Sequence, residues 1–134
     1  MNKASRAPDA EEVTLDAGAL IALERGDPYM QALLRRIAER EGQHVVPAGA
    51  LAQAWRNGSR QARLARLVSS RRTSVVPLDL ARALAAGVLC GQAGKADVID
   101  ASVVLCAREH RHTVVTTDPD DLRRLAPDVT LMVV

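Results

Sequence analysis

The chain has 134 residues, 48% of them apolar, with 18 basic against 16 acidic side chains for a net charge of +2. That length supports one hydrophobic core and excludes two ordinary domains, and no apolar run approaches the roughly 20 residues that span a bilayer. Residues 1–12 lack the apolar segment of a secretion signal. The expectation is therefore a single domain at 13–134 behind a loose tail at 1–12, cytoplasmic and without membrane association.

In chain order, Val13-Thr14-Leu15 reads as a buried strand, Ala17 to Glu24 as a short helix, and Pro28 to Glu41 as a longer one stopped by Gly42. His44-Val45-Val46 is a second strand. Ala48 to Arg56 and Arg60 to Ser69 read as helices separated by the breaker pair Asn57-Gly58. Ser74-Val75-Val76 is a third strand, Asp79 caps a helix to about Gly91, and Ala96 to His110 is the next helix. Thr113 to Thr117 is a fourth strand, Asp118 caps a short helix to Leu125, and Thr130 to Val134 is a fifth strand. Helices alternating with continuously apolar strands predict an α/β fold, a parallel sheet covered by helices on both faces. Cys90 and Cys106 lie in apolar helical patterns without CxxC spacing and read as buried thiols; His44, His110 and His112 read as surface or helix-end residues.

The acids fall in informative places. Open parallel sheets build sites beyond the carboxyl ends of their strands. Asp16 directly follows the first strand and Asp118 the fourth, while Asp97 and Asp100, three apart, share one face near a helix start. Asp16, Asp97 and Asp118 each also suit a helix N-cap or the positive end of the helix dipole. Asp100 sits inside a helix between Ile99 and Ala101, where an unpaired carboxylate is costly to bury. Four converging carboxylates repel unless a cation lies between them, and oxygen donors without Cys or His at ligand spacing favour Mg²⁺ or Mn²⁺. Such a cation suits phosphodiester hydrolysis, with Thr116 and Thr117 placed to support the site.

Basic residues segregate too: Arg56, Arg60, Arg63, Arg66, Arg71 and Arg72 lie in a stretch with no acid between Glu41 and Asp79. That stretch reads either as a nucleic-acid surface, Arg56 and Arg60 contacting substrate, or as a solvated helix face. With no Phe and a single Trp, stacking on splayed bases is not an obvious binding mode.

The segments Thr14-Leu15-Asp16-Ala17-Gly18-Ala19-Leu20-Ile21-Ala22-Leu23-Glu24, Val46-Pro47-Ala48, Asp97-Val98-Ile99-Asp100-Ala101 and Val115-Thr116-Thr117-Asp118-Pro119-Asp120-Asp121-Leu122 resemble, in order and spacing, PIN domains of the VapC type. The resemblance runs from Val13 to Val134 and implies a five-stranded parallel sheet flanked by helices, a Mg²⁺- or Mn²⁺-dependent ribonuclease, a homodimer, and a small cognate antitoxin. It carries Asp16, Asp100 and Asp118 over as the acidic, metal-holding centre, Asp97 as an additional acid, and Thr116 and Thr117 as support. One position departs: Gln53 stands where many members have a glutamate. An amide can still coordinate through its oxygen but brings no charge. The alternative to an active nuclease is thus a catalytically weakened module that binds RNA on the same scaffold.

Overall fold

The computed structural model describes residues 12–95 and 97–134; of the expected tail, residues 1–11 lie outside the described residues. Five strands, β1 (Glu12–Leu15), β2 (Gln43–Pro47), β3 (Thr73–Val76), β4 (Thr113–Thr116) and β5 (Leu131–Val133), form one sheet in the order β3-β2-β1-β4-β5. All neighbouring pairs are parallel. Parallel strands need crossovers, and seven helices supply them: α1 (Ala17–Glu24), α2 (Pro28–Glu39), α3 (Ala48–Ala54), α4 (Ala62–Ser69), α5 (Leu80–Ala93), α6 (Val98–His110) and α7 (Pro119–Leu125).

The chain first steps outward from β1 through β2 to β3, then crosses back so that β4 pairs with the other side of β1. Right-handed crossovers in opposite directions put α1, α2 and α4 on one face and α5 and α6 on the other. The central strands are therefore covered twice, which is why Val13, Leu15, Val46, Val114 and Val115 are fully buried without any alternation. α6 fits the same logic, with Ala101, Val103, Val104 and Ala107 packed in the core.

Helix ends follow the sequence closely. Asp16, Asp27, Asp79 and Asp97 each accept a hydrogen bond from a backbone N–H in the first turn of the helix they precede. Gly94 ends α5 at φ +66, the left-handed conformation open to a residue without Cβ. The expected helix to Glu41 stops at Glu39 instead, and Glu41 itself takes the left-handed turn at φ 56 ahead of buried Gly42. Among the described residues no helix is long and apolar enough to cross a membrane.

Candidate acidic active site

The reversal of strand order lies between β1 and β4, and the crevice beyond their carboxyl ends is where the acids gather. Asp16 leaves β1 with its N–H still bonded to the Val115 carbonyl of β4 at 3.2 Å, so the two strands hold it in register. Its carboxylate then caps α1 by accepting from Ala19 N at 2.8 Å. The capping and site readings thus hold at one residue. Asp16 is only 6% exposed. Burial raises its pKa and Asp118 adds to the rise, while hydrogen bonds from Thr116 and the Ala19 N–H pull the other way.

Thr116 ties the two strand ends together. Its hydroxyl is hydrogen-bonded to the Asp16 carboxylate and accepts from Asp118 N at 2.9 Å. Asp118 occupies the N-cap position of α7 but its side chain makes no capping hydrogen bond, unlike the other Asp caps. Its exposed carboxylate is therefore uncommitted to the helix. Thr117 is exposed beside Gly18, where a Cβ would overlap the Thr117 hydroxyl and approach Asp16 Oδ1 to 3.4 Å. The turns after β1 and β4 mesh because Gly18 has no side chain.

Asp97 caps α6, its Oδ1 accepting from Asp100 N at 2.9 Å, so Asp100 sits one turn in with its carboxylate beside Asp97. Burial first, then Asp97, Asp16 and Asp121, push the Asp100 carboxyl up to about 7. These couplings connect Asp16, Asp97, Asp100 and Asp118 into one electrostatic unit. They also bring in Asp121, which lines a cleft of about 180 Å³ with Lys95, Asp97, Asp100 and Leu125. The sequence reading missed Asp121; its signal was the helical spacing of three from Asp118 across Pro119.

A model of the PIN domain matches residues 13–127. The chain belongs to the PIN domain family. No curated protein sequence matches it. Among solved structures, this PIN domain superposes on a chain of VapBC2 from Rickettsia felis bound to a promoter DNA fragment, with TM-score 0.68, 16% identity, and 92% of this chain and 98% of that one covered. It superposes on VapC20 of Mycobacterium tuberculosis, a sarcin-ricin loop cleaving toxin, with TM-score 0.67, 16% identity, and 88% and 96% covered. A chain of FitAcB from Neisseria gonorrhoeae gives TM-score 0.59 at 20% identity, with 90% and 96% covered.

Gln53, Arg56 and Arg60, the other candidates from the sequence, lie on α3 and the segment that follows it. Gln53 is exposed near the end of α3. Arg56 is exposed and its guanidinium donates to the carbonyls of Ala52 and Trp55 at 3.2 and 2.7 Å, closing the C-terminus of α3. Arg60 ends an exposed 3₁₀ turn, Gly58–Arg60. The thiols of Cys90 and Cys106 are free and buried. His44 corrects the expectation of a surface residue: it is 4% exposed on β2, Nε2 bonded to Thr73 Oγ1, and its Nδ1 has no partner among the described residues. Burial drives its pKa down to about 4, with Arg72 adding to the fall. β2 is an interior strand, and His44 through Pro47 are all buried on it.

Whether these residues suit a divalent cation can be judged from the donor set. Among the described residues no three His, Cys, Asp or Glu side chains stand preassembled as a metal cage. Burial first, and then neighbouring acids, nonetheless raise the pKa of Asp16 and Asp100, as negative charge gathered in a partly desolvated place does. Mg²⁺ asks for one or two carboxylates and keeps its waters. The rim is compatible with that undemanding coordination, in which Asp16, Asp100 and Asp118 would hold the ion.

Proposed function

We propose that this PIN domain is a divalent-cation-dependent endoribonuclease and the toxin of a VapBC-type toxin–antitoxin pair. The observation carrying the reading is the electrostatic joining of Asp16, Asp100 and Asp118 at the β1/β4 crevice. Its structural neighbours include a toxin that cleaves the sarcin-ricin loop and chains from VapBC and FitAB assemblies, which supports RNA as substrate and a small antitoxin as partner. A bound Mg²⁺ or Mn²⁺ supplies an activated water and neutralises charge on the attacked phosphate. The chain's own part is positional: Thr116 fixes Asp16 and Asp118 relative to each other, and Asp97 and Asp121 hold negative charge against Asp100, which strengthens its attraction for any positive partner, proton or metal ion.

Two surfaces, one apolar and one basic, suit the two protein partners. Leu80, Leu84 and Val88 form a helical stripe on α5 that is 75%, 63% and 60% exposed. The charges beside it are internally paired, Arg82 reaching Asp79 at 2.8 Å and Glu109 at 2.9 Å. A charge-neutral apolar face is self-complementary and suits the homodimer. The groove lined by Leu34, Leu67, Arg63, Arg66 and Arg72 is basic instead, and suits an antitoxin segment carrying acids around apolar anchors. Leu33, Ile37 and Leu64 on the same helices are core, and Leu67 joins that core at the floor of the groove.

Purified protein incubated with structured cellular RNA in Mg²⁺, Mn²⁺ or EDTA tests the activity. Cutting that needs metal and disappears in Asp100→Asn is the expected result. The neutral, exposed Gln53 favours a second reading, a weakened RNA-binding module. Under that reading the native chain cuts nothing in any metal and Gln53→Glu restores cleavage.

A further inference from the structure

We infer that the loop from Trp55 to Gln61 is a stacking platform for an unpaired nucleobase, with Trp55 supplying the ring and Arg60 the neighbouring phosphate contact. The choice of RNA as ligand rests on the ribonuclease reading. The platform itself rests on how the loop is built.

Trp55 is the sole tryptophan and is 36% exposed. Its benzo ring lies against the Gly58 backbone so closely that a Cβ there would stand 2.6 Å from Cζ2. One side of the ring is thus fixed by the chain while the residue stays open to solvent. Gln61 locks the loop, its Oε1 accepting from Arg56 N and Asn57 N at 2.7 and 2.9 Å and its Nε2 donating to the Ala54 carbonyl at 3.0 Å. Asn57 Oδ1 accepts from both the backbone N–H and the hydroxyl of Ser59 at 3.1 and 2.7 Å. A ring held in this way is already ordered before a ligand arrives, so binding costs little conformational entropy.

The surroundings select the ligand. Arg56, Asn57, Ser59 and Arg60 are exposed, and no second large apolar side chain of the loop joins Trp55. The sequence between Glu41 and Asp79 holds no acid, and the Glu24 carboxylate that reaches the start of α4 is engaged by the Leu64 N–H at 2.9 Å. A single aromatic face among cations matches base stacking with backbone attraction; docking of an apolar helix needs a wider patch. α3 starts beside the acidic site, Gly49 lying against Ile99 next to Asp100. Its 7 residues extend about 10 Å, so the platform lies one short helix from the acids, where it engages a nucleotide flanking the cut.

The test uses the intact protein in EDTA, where binding is read without cleavage. Emission from the single tryptophan is followed while an unlabelled single-stranded oligoadenylate, or the same strand in a duplex, is added. Quenching by the single strand and not the duplex is expected. Trp55→Ala should bind the single strand about tenfold more weakly, from the usual loss on removing a stacked aromatic, while Trp55→Phe retains most of the affinity. Unchanged emission with the single strand, or equal affinity of Trp55→Ala and the native chain, overturns the platform. So does an emission change produced only by a polypeptide partner. If Trp55→Ala melts early, the emission of the native chain still decides. Quenching by a protein that cuts nothing in Mn²⁺ would defeat the nuclease reading and leave the platform standing.

Discussion

The acidic rim and the outer face of α5 break opposite rules of folding. At the rim, five aspartates gather, and burial together with acidic neighbours raises the pKa of Asp16 and Asp100; on α5, three large apolar side chains face water. Neither arrangement stabilises an isolated monomer, and in the proposed reading each is relieved by something from outside, a cation in one case and an apolar surface in the other. The lesson is that a functional surface shows itself as local instability, and that the kind of instability names the kind of partner.

The rim's half of the comparison makes the largest prediction. Asp100→Asn should lower metal-dependent cleavage at least about 100-fold, the scale on which a group stabilising transition-state charge acts. The same change should leave the melting temperature in EDTA equal or higher, because it removes a charge that burial and its neighbours oppose. Loss of activity together with loss of stability would mean the residue is structural.

Asp16 sharpens the contrast within the rim, because it serves both the site and the fold. Asp16→Ala should cost about 1 kcal/mol of stability from the lost helix cap, whereas Asp16→Asn should keep most of it, since Asn caps nearly as well. Both should be inactive, so urea unfolding separates the two jobs where rates do not.

The other half is tested on α5. Leu84→Glu should convert a dimer to monomer by sedimentation while changing monomer stability by less than about 0.5 kcal/mol, as for an exposed site. A native chain that is monomeric at all concentrations would assign the stripe to another partner.

The comparison extends to pH, where two shifts of opposite sign partly cancel in the native chain. His44 has a folded pKa near 4, below its unfolded value of 6.5. The folded state therefore resists protonation, and stability held above pH 6.5 is lost as pH falls toward 4. Asp100 has the opposite sign, its raised pKa giving stability as pH falls from about 7. In EDTA, His44→Gln should flatten the acid-side loss of melting temperature, and Asp100→Asn should steepen it.

Much of the frame was legible because parallel strands buried on both faces announce themselves as unbroken apolar runs. Val13 to Leu15 and Thr113 to Thr117 differ by at most one residue from β1 and β4. That placement put Asp16 and Asp118 at strand ends before any coordinates. Other features carry no period. His44 looked polar and hence external, and only the position of β2 inside the sheet explains its burial. Asp121 was hidden because Asp118 was read as the start of a helix, and the next turn of that helix was left out. The exposure of Leu80, Leu84 and Val88 depends on what α5 packs against, which the pattern of α5 alone does not contain. Trp55 was a lone aromatic in the sequence, and its meaning lies in Gly58 and Gln61 around it.

Gly18 extends the site beyond residues with reactive groups. Any side chain there forces the Thr117 hydroxyl aside at the junction of the two strand-end turns. If the chain is the proposed toxin, a genetic selection for harmless variants should therefore recover Gly18 substitutions as well as changes of the aspartates, the Gly18 variants folding, keeping every acid and reaching normal abundance in the cell.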